Sequence, residues 1–162
     1  MQKTLFVLTI CLFCLVPQIL CQKIFGAGFI PNFVLIAMIF FNLYRGMHMS
    51  LGAAFLGGFL LDSFSGSIFG INTFTLVLCA FLTGTLKMYI YQPGVAESRV
   101  LMVFVIALAN SFLQYFINLI VGVDLQFGES LVRAILPEVI LTTFVANMTL
   151  ERLKDCALKL FA

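Results

Sequence analysis

Few side chains here can do chemistry, and they lie far apart. Cys11 and Cys14 stand as C-x-x-C, the spacing of a redox pair or half a metal site. They sit inside an unbroken apolar run with no metal-ligating neighbours. Five cysteines scattered along apolar sequence read first as small packing groups, and they do not reveal the redox compartment. His48 is the only histidine, so a Ser–His–Asp triad would have to be built on it, and G-x-S-x-G is missing. A glycine-rich phosphate loop is missing too. The acids do not cluster as metal-bound phosphate chemistry requires. The expectation is no catalytic residue, no cofactor and no metal.

Three polar features in apolar surroundings remain. Asp62, beside Ser63, Ser65 and Ser67, has the type for a cation or proton site. The stronger reading is a cap, its carboxylate accepting backbone N–H bonds at the start of the next helix, where the dipole favours an anion. A cap predicts that Asn can stand in for Asp62, at a cost of about 0.3–1 kcal/mol. Asn110, Gln114 and Asn118 recur every four residues and share one helix face. They would line a substrate pocket, or, as the favoured reading, make interhelical hydrogen bonds of about 0.6 kcal/mol each. Glu138 follows Pro137, with Arg133 five residues earlier. An acid at that depth points to function, whereas pairing with Arg133 or reaching the interface would make it structural. Neither reading leads.

These residues need a scaffold, and the composition says which kind. Of 162 residues, 62% are hydrophobic and 10% charged, with 19 Phe and a mean hydropathy of +1.14. Soluble domains carry roughly 25% charged residues, so the chain reads as an integral membrane protein. A net charge of +2 and no basic run interleaved with aromatics argue against nucleic acid.

Six apolar segments follow in order. The first, residues 4–21, resembles a signal peptide, but Leu20 before Cys21 is a poor cleavage site, so it reads as a retained helix kinked at Pro17. Residues 33–44 and 49–61 are shorter than the roughly 20 needed to cross a bilayer. Residues 71–89, 100–123 and 131–149 are long enough. The expected organisation is one six-helix domain over 1–150 and a short amphipathic tail over 151–162. With both termini inside, seven of the nine lysines and arginines (Lys3, Arg45, Lys87, Arg99, Arg152, Lys154 and Lys159) are cytoplasmic, against Lys23 and Arg133.

The stretch from 52 to 74 is the densest in special residues. Ala53 and Gly57, like Ala54 and Gly58, are four apart, a small-residue face that lets two helix backbones approach closely. Asp62 ends the run, and Gly66 and Gly70 supply backbone freedom for a reversal.

The pattern G-F-L-x-D-x-x-x-G-x-x-x-G-x-x-x-F, carried by Gly58, Phe59, Leu60, Asp62, Gly66, Gly70 and Phe74, resembles the signature of MreD, the rod shape-determining membrane proteins. Pro31 before the second segment, the Arg45-Gly46 turn, the length and the charge bias agree with it. The motif covers about residues 31–75, the layout the whole chain. The resemblance implies a six-span protein without catalytic activity, in the bacterial inner membrane. It implies as partners MreC and, through it, MreB filaments, the RodA glycosyltransferase and its transpeptidase. It also implies a fold similar to the substrate-binding S-components of energy-coupling-factor vitamin transporters.

The expected function is thus a non-enzymatic scaffold of cell elongation, acting on cell shape and lateral peptidoglycan synthesis. It would bind MreC in the lipid bilayer; association with a second copy of the chain is left open. The alternative is an S-component-like subunit binding a small molecule such as a vitamin. Short external loops without Trp speak against that.

Overall fold

The computed structural model describes residues 13–21, 30–65, 68–92, 95–122 and 135–161. The described residues form six helices and no strand. They are α1 (13–21), α2 (Phe33–Arg45), α3 (Met47–Ser65), α4 (Ile71–Ile90), α5 (Ala96–Ile120) and α6 (Leu136–Phe161).

The fold is built around a short helix. α2 has 13 residues, and every one from Val34 to Leu43 is buried. It touches α3, α4, α5 and α6. Phe41, Leu35, Met38 and Ile39 are among the largest fully buried side chains, and Phe40 packs against Tyr44 with ring centroids 5.0 Å apart. A helix of this length reaches only about 20 Å. In lipid its unpaired terminal N–H and C=O groups would be costly.

Neighbouring side chains meet that need at both ends. At the start, the N–H of Val34 donates to Gln18 Oε1 at 3.2 Å and that of Leu35 to Asn32 Oδ1 at 3.0 Å. At the other end Lys87 Nζ donates to the carbonyls of Asn42 and Leu43 at 3.0 and 2.9 Å. Asn42 Nδ2 in turn donates to the carbonyl of Ala80 at 3.0 Å.

The third helix differs from its expected extent, residues 49–61. It runs from Met47 to Ser65, 19 residues, because the polar residues that end its apolar run find partners. Ser50 Oγ donates to the Met38 carbonyl at 3.0 Å and Ser63 Oγ to that of Phe59 at 2.8 Å. Asp62 is buried. The fifth helix starts at Ala96 rather than 100. The sixth continues without a backbone break from Leu136 to Phe161, through the segment expected as a separate tail.

Large apolar side chains also cover the outside. Phe55 and Phe59 on α3, Phe74 and Phe81 on α4, Phe112 and Phe116 on α5, and Phe144 on α6 are exposed. Ile71–Ile90 and Glu97–Ile120 are long and apolar enough to cross a bilayer, with only 28% and 33% of their most apolar windows buried. A soluble protein's core helix would be mostly buried, so these surfaces suit lipid. The chain is a membrane protein.

Candidate functional site

Two polar networks lie inside the bundle, and both touch α5. The first begins with a close approach. Ala53, Ala54, Gly57 and Gly58 are all buried on α3. At Gly58 a Cβ would stand 2.5 Å from Thr73 Cα and 2.9 Å from its backbone nitrogen, so only glycine fits. One turn later Asp62, 3% exposed, meets the start of α4.

That start has no cap of its own. Its N-cap residue, Gly70, has φ +101 in the left-handed region and no side chain to offer. Asp62 supplies the missing acceptors from across the turn. Oδ1 accepts the backbone N–H and the side-chain amide of Asn72, each at 3.0 Å. Oδ2 accepts the Thr73 N–H at 3.0 Å and the Thr73 hydroxyl. Four donors at the positive end of a helix dipole satisfy both oxygens of a carboxylate. The network then crosses to α5, where Gln114 Nε2 donates to Asn72 Oδ1 at 3.0 Å. Gly66 lies outside the described residues.

The second network joins α1, α2, α5 and α6. Glu138 Oε2 accepts the Ser111 hydroxyl at 3.3 Å, and the carboxylate is also bonded by the Asn32 side chain. Because Asn32 Oδ1 already accepts the Leu35 N–H, its amide nitrogen is the group that faces Glu138. The Asn32 N–H donates to Thr142 Oγ1 at 3.0 Å, tying α2 to α6. Gln18 completes the set from α1. Arg133, which would pair with Glu138 in one of its two readings, lies outside the described residues.

The polar row of α5 divides between these environments. Gln114 joins the Asp62 network. Asn110 is buried between α5 and α4, with Oδ1 3.9 Å from the Cys79 thiol. Its Nδ2 has no partner among the described residues. Asn118, one turn beyond Gln114, is half-buried. Just past α4, burial pushes the Tyr91 phenol upward; Tyr44 adds to this and Arg99 opposes it.

Gln18, Asn32, Asn72, Lys87, Ser111 and Thr142 all have roles that the sequence reading missed. Asn32, just after Pro31 and before an apolar run, has the form of an N-cap and was legible. The others are single polar residues in apolar sequence, whose partners only the packing supplies. Among the described residues no three His, Cys, Asp or Glu side chains gather as a metal site. What the networks do chemically is accept and donate hydrogen bonds between helices.

A family model, that of the rod shape-determining protein MreD, matches residues 1–151. Comparison with curated proteins and with solved structures gave no match.

Proposed function

Because the chain belongs to the MreD family and so has a role in rod shape determination, we propose that it is a non-enzymatic membrane scaffold of the cell-elongation machinery. In this reading six helices cross the inner membrane with both termini in the cytoplasm. The bundle binds the bitopic protein MreC, and through it the filament, glycosyltransferase and transpeptidase of lateral peptidoglycan synthesis.

The observation that supports it best is the use to which Asp62 is put. This buried charge takes four hydrogen bonds, all from α4. A carboxylate so occupied has little left to transfer a proton or hold an ion. It fastens α3 to α4, as a body that serves by its shape requires.

The deciding experiment is affinity purification of the full chain in mild detergent, with identification of the proteins that come with it. MreC and elongation proteins are the expected result. Recovery of an ATPase pair instead would favour the transporter-subunit alternative, and recovery of neither would defeat the scaffold reading.

A further inference from the structure

Asn147 stands apart from the threonines around it on α6. The Thr142 hydroxyl accepts the Asn32 N–H, and the hydroxyls of Thr143 and Thr149 donate back to the carbonyls of Val139 and Val145 at 2.8 and 2.7 Å. Asn147 instead lies exposed on the outside of the bundle, in one row with Leu136, Ile140 and Phe144, which are exposed too. At about 100° per residue it is within about 60° of each of them around the helix. That row meets lipid, and lipid chains cannot hydrogen-bond a carboxamide, which carries two donor hydrogens and a carbonyl acceptor. The first charged residue after it, Glu151, comes four residues on, about 6 Å along the helix. An Asn side chain, unlike that of Lys or Arg, is too short to carry its head that far toward the interface. The carboxamide therefore calls for a hydrogen-bonding group on another helix in the membrane.

The chemistry of the row says which helix that is. No charge lies in it, so nothing there selects a charged partner. Copies of one chain enter the membrane in one orientation, so two sixth helices meet in parallel about a two-fold axis along the membrane normal. A carboxamide beside that axis faces its own copy, and each gives a hydrogen to the other's oxygen. Ile140 and Asn147 are one heptad apart. A β-branched residue and a single Asn at such positions are what set the register of a parallel helix pair. We propose that two copies of this chain pair along α6, Asn147 against Asn147. Such a pair requires only that the chain is a membrane protein, so it is independent of the scaffold reading.

The test uses the full chain in phosphatidylcholine vesicles, with donor dye on some copies and acceptor dye on others. Energy transfer is followed as the protein is diluted with lipid. The native chain should pair, and Asn147→Leu should weaken pairing about tenfold, close to 1.4 kcal/mol. Asn147→Gln keeps the amide and should pair nearly as well as the native chain. Because the site is exposed, the Leu variant should melt as the native protein does. If it melts lower, a photo-crosslinking residue decides without it: one in place of Phe144 should give a covalent dimer, and one in place of Phe81, exposed on α4, should not. A native chain that stays monomeric, undiminished pairing in Asn147→Leu, or a dimer crosslinked from Phe81 and not Phe144 each overturns the pairing. So does a crosslink from Phe144 in cells that reaches only a different protein, which would then be the occupant. A monomer that still co-purifies with MreC defeats the pairing alone. A pair that brings down no elongation protein defeats the scaffold reading alone.

Discussion

Asp62 shows how much one carboxylate can carry. A cap that used a single oxygen would accept Asn at the cost of a charge–dipole interaction. Here each oxygen takes two donors, and an amide offers only one acceptor atom. Asp62→Asn therefore leaves the Thr73 N–H or the Asn72 N–H short of a partner, and the expected loss is about 1–3 kcal/mol rather than a few tenths. Asp62→Leu removes both acceptors and should prevent accumulation in the membrane. Thermal melting of the detergent-purified protein, with cell-shape complementation alongside, checks this. An unchanged melting temperature for Asn would show that one oxygen suffices. Round cells with Asn at normal abundance and melting temperature would make the charge itself functional.

The same logic governs Lys87. Its ammonium closes the carbonyl end of α2 through Asn42 and Leu43. Lys87→Met deletes the donor and leaves those carbonyls to find others, at an expected loss of about 1–3 kcal/mol. The readout is again melting of the purified protein, and an unchanged value would mean that the α2 carbonyls find donors without Lys87.

Between elements, α3 approaches α4 closely at Gly58. A methyl group there meets the backbone of Thr73, which cannot swing aside as a side chain can. Gly58→Ala should cost about 1–3 kcal/mol through overpacking. Gly52 on the same helix is exposed, and a Cβ there meets nothing within 4 Å. Gly52→Ala should be neutral or stabilise by up to about 1 kcal/mol, as Gly→Ala in an open helix position does. Comparing the two variants by melting separates helix propensity from interhelical distance. Equal behaviour would show that α3 and α4 part easily at this point.

At the scale of the whole molecule, α2 is sheathed by longer helices, and that accounts for its length. An element that meets protein on its sides, and side chains at its ends, need not match the bilayer thickness. In the proposed six-crossing arrangement it would be one of the crossings while remaining only 13 residues long. The proposed topology follows from this and from the basic residues. A reporter fused after Val95 should lie in the cytoplasm, and one after Gln126 outside. An external position for the C-terminus would remove the six-crossing arrangement.

Composition alone determined that this is a helical membrane protein. A chain 10% charged cannot solvate a surface in water, and spans in lipid must satisfy their own backbone. The glycine and aspartate pattern of residues 58–74 was enough to point to the family. It was also enough to mark Gly58 and Asp62, because close approach and end-capping each restrict the residue types allowed. The sequence could not assign partners. Gln18 and Val34, Lys87 and the end of α2, or Gln114 and Asn72 are brought together by packing, and no local spacing encodes such pairs. Hydropathy also cut α3 short, since it counts Ser63 and Asp62 as polar wherever they stand. Only the tertiary structure showed their hydrogen bonds satisfied within the protein, and that satisfaction lets a polar residue continue an apolar helix.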